Sequence, residues 1–447
     1  MAELFALVGL LALAVKCKGG RALIVGGWVR DKVLGALSKD IDVEVYGLNI
    51  EALHEVLSTF GGVDEVGRSF GILKLKGHDL DVSVPRRDNK LGVGHRAFST
   101  TFDPGMLVEE AAGRRDFTMN SLAFDPISQE ILDPFGGVQD LKEGRLRMTN
   151  PQQFGEDPLR ILRAAQFLAR FGLSPDQDLV EESRRLVSAL SELPAERHFE
   201  EWRKLLLKGT KPSKGLRFLR EIGALPPELQ ALVGLEQDPT WHPEGDVWEH
   251  TLLVVDEASK MESKSLALMF GALLHDVGKA NTTVHDSDGH IRSHGHPETG
   301  EDFARSFLLR LKAPTKLIEQ VVCLVRNHLA PHAFREASAK GFHRLARKLD
   351  SLELSMAELE AVARSDHFGR TTPDALARLF PDGEKFLARA QELHIEKKAL
   401  PDVVRGRDLI ARGLVPGPEF HRILDLARQI QDETGMTDPV GILDMIL

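Results

Sequence analysis

Two groups of residues in this 447-residue chain have the types and spacings to do chemistry. The first is Asp40-Ile41-Asp42. Residues two apart on a strand point to one side, so these carboxylates stand ~7 Å apart along the chain and can converge on metal ions. Hard oxygen donors suit Mg2+. A pair of such ions drives in-line phosphoryl or nucleotidyl transfer. Asp81, in Leu80-Asp81-Val82-Ser83-Val84, could add a third acid from a neighbouring strand. A solvent-facing edge strand accounts for an isolated Asp-x-Asp equally well. The second group is His250, His275-Asp276, His328 and Asp366, spread over residues 241–370. Imidazole with carboxylate suits Zn2+, Ni2+, Mn2+ or Fe2+, and a metal-bound water is a nucleophile near neutral pH. Lys279, one turn beyond His275, could touch a phosphate. A lone histidine is more often structural, but five elements in this order favour a metal centre.

Three further motifs flank the first group. Gly26-Gly27-Trp28-Val29-Arg30-Asp31 falls between a strand and a helix. Glycines there let backbone N–H groups approach a phosphate, and Arg30 adds a charged donor; a plain tight turn is the alternative. Arg114-Arg115-Asp116-Phe117-Thr118-Met119-Asn120 combines guanidinium forks for phosphate with amide and hydroxyl groups for a sugar. In Glu156-Asp157-Pro158-Leu159-Arg160-Ile161-Leu162-Arg163, Asp157 as N-cap and Pro158 at the first helical position open a helix. Helix capping leaves Arg160 and Arg163 unexplained. They follow Asp157 along one face, and an Asp–Arg pair could read the edge of a base.

The elements that must carry these residues are legible. Arg21 to Val25, Ile41 to Tyr46, Gly71 to Lys76, Leu80 to Val84 and Ser121 to Phe124 read as strands, with Gly77-His78-Asp79 as a hairpin turn. Helices fit 2–17, 28–37 and 50–60. From Asp157 onward helical periodicity dominates. Length implies several cores: 1–147, 148–240, 241–370 and 371–447. Asp238 to Gly245 and Thr371 to Pro381 look like boundaries.

Composition narrows the function classes. The net charge is −10, which excludes a histone-like basic shell. Two cysteines exclude a disulfide scaffold and suit a reducing compartment. The apolar run Leu4 to Val15 is twelve residues long, whereas a span needs about 20. No membrane partner and a cytoplasmic location are the expectation. Local basic runs remain available for RNA: Arg197, Arg203, Lys204, Lys208, Lys211, Lys214, Arg217 and Arg220, and then Lys340, Arg344, Arg347 and Lys348. Solvated helix faces explain them too.

GGWVRD, DID, RRDFTMN, DPFGG and EDPLRILRAAQF, in that order, resemble the class II tRNA nucleotidyltransferase and bacterial poly(A) polymerase family over roughly residues 20–240. The resemblance implies an α+β, polymerase-β-like head with a mixed sheet, followed by an all-α neck, body and tail. It implies addition of CMP and AMP from CTP and ATP to the 3′ end of tRNA, with Mg2+ held by Asp40 and Asp42. Gly26, Gly27 and Arg30 would hold the triphosphate, and Arg114, Arg115, Asp116 and Asn120 the sugar and phosphates. Glu156, Asp157 and Arg160 match the family's amino-acid template, and Ala195-Glu196-Arg197-His198 its neck motif, with His198 in an aliphatic position. The family's flexible loop, needed to add A, corresponds to Arg86 to Gly113, which includes Lys90, Gly92, Gly94, His95 and Arg96. Full CCA addition and A-only addition both fit. A poly(A) polymerase would carry a strongly basic tail, and intact Asp40 and Asp42 argue against a relic head. Residues 241–370 resemble the HD phosphohydrolase family. That resemblance gives His250, His275, Asp276 and Asp366 as metal ligands, with His296 and His328 for a second metal or phosphate and His294 as a rival to His296. It implies 2′,3′-cyclic phosphates or phosphate monoesters as substrates.

Overall fold

A computed structural model describes residues 2–38, 40–64, 71–90, 98–334 and 337–447. The chain forms two compact units, Met1–Leu205 with Lys214–Ala224, and Leu206–Ser213 with Leu225–Leu447.

Alternation of side chains builds the sheet of the first unit. Strands β1 (Arg21–Val25), β2 (Ile41–Tyr46), β3 (Val63–Asp64), β4 (Ile72–Leu75), β5 (Leu80–Ser83), β6 (Arg86–Lys90), β7 (Phe98–Phe102), β8 (Ala123–Phe124) and β9 (Ile131–Leu132) follow in chain order. Seven of them form a mixed sheet in the order β3-β4-β5-β2-β1-β8-β9. Strands β2 and β5 are parallel; β1 pairs antiparallel with β2 and β8. Ile41, Val43 and Val45 point into the core, which turns Asp42 and Glu44 to the other face. The first helix, Ala2–Cys17, buries Val8, Leu11, Ala12 and Val15 and leaves Leu10 and Leu13 exposed. Among the described residues no helix is long and apolar enough to cross a membrane.

The structure departs from the sequence reading in several places. The helix expected over 28–37 ends at Val33, because Gly35 takes a left-handed turn with φ +68°. The loop expected over 86–113 is an antiparallel hairpin of β6 and β7 followed by the helix Val108–Gly113; Gly92, Gly94, His95 and Arg96 lie outside the described residues. Beyond residue 147 the first compact unit continues, with β10 (Arg145–Leu146) paired to β11 (Ser174–Pro175).

Among its described residues the second unit has helices and one hairpin, β12 (Thr283–His285) and β13 (Ile291–Ser293). Helix Val247–Ser259 packs on Met356–Gly369 and Leu266–Leu274, and His296–Arg310 packs on Thr315–Asn327. Trp248, Phe270 and Phe307 are fully buried there. The segment expected as a boundary near Asp238 is knitted in: Asp238 pairs with His290 at 2.7 Å, and Gln237 donates to the Gly245 carbonyl at 3.2 Å. Val404, Leu409, Ile423 and Ile442 form a small core of their own towards the C-terminus. Arg347 connects that region to helix Ala339–Asp350 through Asp432 (2.7 Å) and Asp402 (2.5 Å).

Candidate functional site

In the head, register brings the acids together. Asp42 lies opposite Asp81 across β2 and β5, and opposite Val25 on β1, one residue before the glycine turn. Partial desolvation pushes the Asp42 carboxyl up; Arg115 opposes this, and Asp81 and Asp40 reinforce it. Asp81 is engaged by Lys74 Nζ at 2.9 Å. Asp40 and Asp42 are solvent-exposed. Gly26 takes φ +70°, a conformation that favours glycine, and an Arg115 terminal nitrogen lies 3.0 Å from where a Cβ would stand. Arg115 is thus folded over the turn, 3.8 Å from Glu44 Oε2, and Glu44 accepts from the Tyr46 hydroxyl at 2.6 Å. Gly27 opens the helix Gly27–Val33. A hard divalent ion fits these acidic oxygens beside an open turn.

Arg30 sits differently from the sequence expectation. It is buried and spends its donors on Asp31 (2.7 and 2.9 Å) and on Asn120 Oδ1 (2.8 Å), with its guanidinium 4.6 Å from the Phe171 ring centroid. Asn120 in turn donates to Asp116 at 2.9 Å, and Asp116 accepts from Arg163 at 2.6 Å. These residues form one buried polar chain from the turn to helix Leu159–Phe171. The helix starts one residue later than expected, with the Asp157 side chain still accepting from Leu159 N–H at 3.1 Å. Asp157 also accepts from Arg197 at 2.8 Å, which joins the residue expected to open the neck to the one expected in the template. Arg160 donates to the carbonyls of Gln153 and Arg114, both at 2.8 Å. Arg114 is half-buried and Glu156 exposed. His198 uses its position to meet the Leu190 carbonyl at 3.0 Å. In DPFGG, Asp133 accepts from the Gly137 and Val138 N–H groups, starting helix Gly137–Lys142.

Part of the expected basic surface is consumed by pairing. Arg203 pairs with Glu200 and Lys204 with Glu201, each at 2.8 Å, and Lys340 pairs with Glu433. Arg344 and Lys348 are exposed.

In the second unit three donor sets converge, His242, Glu244 and His250 on the flank of two central ones: His250, His275 and Asp366, and then Asp276, His296 and His328. Within each set the ligand atoms lie within 4.8 Å of one another. Asp276 spans both, with Oδ2 3.2 Å from His275 Nε2 and Oδ1 3.3 Å from His296 Nε2. His275, His296 and His328 each set Nδ1 against a backbone carbonyl, of Ala272 (2.9 Å), Ser293 (2.8 Å) and Val325 (2.7 Å). An Nδ1–H donated this way leaves Nε2 as a metal ligand. Buried Asp276 Oδ2 meets Lys279 Nζ at 2.6 Å, and the buried His275 Nε2 beside it is left for a divalent ion to satisfy. Burial, with His275 and His296 close by, pushes His328 down to about 3. His294 is exposed and His296 is in the cluster, which decides between those rivals. Lys279 lies 2.6 Å from Asp276 and donates to Gln237 at 3.2 Å. A Cβ on Gly278 would lie 2.0 Å from the His296 carbonyl, so glycine lets the two ligand-bearing segments touch. A cavity of about 530 Å3 opens beside His296, lined by Arg292, Arg326, Asn327, Ala330 and Phe334.

Residues 22–147 match the Poly A polymerase head domain, 172–232 the probable RNA and SrmB-binding site of polymerase A, and 247–363 the HD domain. The multifunctional CCA protein of Xanthomonas campestris pv. campestris is 34% identical over 415 residues, covering 91% of this chain and 96% of its own. The chain belongs to the multifunctional CCA protein family. The multifunctional CCA protein of Laribacter hongkongensis is 35% identical over 357 residues, 78% of this chain and 85% of that one. Two solved structures share the fold. The Bacillus stearothermophilus CCA-adding enzyme in complex with CTP has a TM-score of 0.68 at 22% identity, covering 98% of this chain and 96% of that chain. The Thermotoga maritima CCA-adding enzyme complexed with tRNA has a TM-score of 0.60 at 20% identity, covering 99% and 95%.

Within this multifunctional CCA protein fold, sequence reasoning missed Glu244, His242 and Arg370 around the histidine cluster. Glu244 Oε1 lies 2.8 Å from His250 Nδ1, and Arg370 lies 3.4 Å from Asp366. The signal for His242 and Glu244 was the polar run Trp241-His242-Pro243-Glu244-Gly245-Asp246 ahead of His250, and that for Arg370 its place four residues after Asp366.

Proposed function

We propose that the head adds CMP and AMP from CTP and ATP to the 3′ end of tRNA without a nucleic-acid template, completing CCA. The observation that carries this is the meeting of Gly26, Asp42 and Arg115 at one end of β1 and β2. Asp40 and Asp42 would hold Mg2+, which supplies neutralisation of the charge on the α-phosphate and departing pyrophosphate. The Gly26–Gly27 backbone and Arg115 bind the triphosphate. Asn120 and Asp116, held by Arg30 and Arg163, shape the sugar side of the site. Arg160 and Asp157, fixed by backbone carbonyls and Arg197, present donors and an acceptor to the base. Arg30 thereby serves as a positioning residue, since it is buried and all three of its nitrogens donate to Asp31 or Asn120.

The histidine cluster is a phosphohydrolase centre for a divalent transition ion such as Ni2+, Mn2+ or Zn2+, acting on 2′,3′-cyclic phosphates or phosphate monoesters at RNA ends. What supports it is the inward set of Nε2 atoms, each backed by a bonded Nδ1. The ion supplies an activated water; Lys279 supplies a cation beside Asp276 for the phosphate. The protein works in the cytoplasm, a reading supported by the free thiols Cys17 and Cys323.

The test is incorporation with Mg2+ on tRNAs ending at the discriminator base, after the first C, and after CC. Growth to CCA on all three is expected. Extension of the CC-ended tRNA alone, with ATP, would make this an A-adding specialist.

A further inference from the structure

The four imidazoles of the histidine cluster are not held alike. For His275, His296 and His328, Nδ1 lies against the carbonyl three residues earlier, so local backbone sets each ring. His250 is fully buried, and its Nδ1 instead lies 2.8 Å from Glu244 Oε1, a carboxylate from the loop ahead of its helix. Its Nε2 then faces Asp366 Oδ1 at 3.1 Å and Asp276 Oδ2 at 3.9 Å. Glu244 is itself 2% exposed in its side chain. Its Oε1 also lies 2.9 Å from His242 Nδ1, and its Oε2 accepts from the Thr371 N–H at 3.1 Å. Thr371 follows Arg370, whose guanidinium lies 3.4 Å from both oxygens of Asp366. One carboxylate thus touches the ring of one ligand and the chain end behind another.

We propose that Glu244 is a positioning residue for the metal centre, fixing the ring and tautomer of His250 and clamping the segment behind Asp366. The proposal rests on reading the cluster as a divalent-metal centre. An anionic acceptor on Nδ1–H holds the lone pair on Nε2 and makes the imidazole a stronger donor. A neutral amide keeps the shape but weakens that acceptor, and it can turn an N–H towards the Thr371 N–H.

The experiment uses the full chain, freed of metal and titrated with Co2+. Visible absorption reports both affinity and ligand geometry. Glu244→Gln should weaken Co2+ binding by about 10- to 100-fold, as outer-shell partners of metal ligands do, and should shift the Co2+ bands. Glu244→Ala should weaken it further. A cooperative unfolding transition in Glu244→Gln is the control for folding. Wild-type affinity and an unshifted spectrum in a folded Glu244→Gln would overturn the positioning role alone. Absence of Co2+ binding by the wild type would overturn both it and the metal reading beneath it.

Discussion

The two candidate metal sites are built on opposite plans. In the head, Asp40 and Asp42 are exposed, and their neighbours are cations on long side chains, Lys74 and Arg115. In the histidine cluster, the side chains of His250 and His275 are fully buried, and each ring is backed by a second polar contact. Mg2+ dehydrates reluctantly and is commonly shared between one or two carboxylates and substrate phosphates. An open, partly completed site suits an ion that arrives with a nucleotide. Imidazole-rich, largely buried sites suit an ion that stays. The contrast teaches that preorganisation is placed where the ion is resident. Where the ion travels with its substrate, the preorganised part is the surrounding frame. In the head that frame is the buried chain Asp31–Arg30–Asn120–Asp116–Arg163.

That comparison breaks most directly at its acids. Asp42→Ala should lower CMP and AMP incorporation by ~10^3-fold or more, about 4 kcal/mol of barrier, while tRNA binding and metal uptake by the histidine cluster persist. Retained incorporation would remove Asp42 from the site. The reciprocal change, Asp276→Ala, should weaken transition-metal binding by more than ~10^2-fold, beyond the loss from an outer-shell partner. It should also abolish hydrolysis of 2′,3′-cyclic phosphates and leave CCA addition running. Loss of both activities would show that the two centres are not independent.

Two smaller effects sharpen the account of the frame. Arg30→Ala leaves Asp31 buried and short of its partner, and should destabilise the first unit by ~3 kcal/mol in urea unfolding. Unchanged stability with a raised KM for ATP and CTP would return Arg30 to the triphosphate. Arg160→Ala should relax the preference for C and A over U and G by about tenfold, ~1.4 kcal/mol, measured as competing incorporation. An unchanged preference would leave nucleotide selection to other groups.

The sequence by itself determined what is periodic or contiguous. Alternation in Ile41 to Tyr46 set which side Asp42 faces, and the run Glu156 to Arg163 placed a capped helix carrying Arg160. The ordered histidines announced a metal centre because imidazoles and carboxylates recur there at ligand-like positions. These features are local, and one residue's neighbours along the chain are enough to read them. Tertiary structure alone decided who meets whom across long separations. Parallel pairing set Asp81 beside Asp42, with Lys74 already on it. Packing took Arg30 off the surface, and pairing of Arg86–Lys90 with Phe98–Phe102 turned part of the expected loop over 86–113 into strands. Folding also brought Glu244 to His250, and Thr371, 127 residues further on, to Glu244. A motif specifies which donors and acceptors a segment offers. Their partners are chosen by burial, where every polar group must be satisfied by whatever the fold has brought within reach.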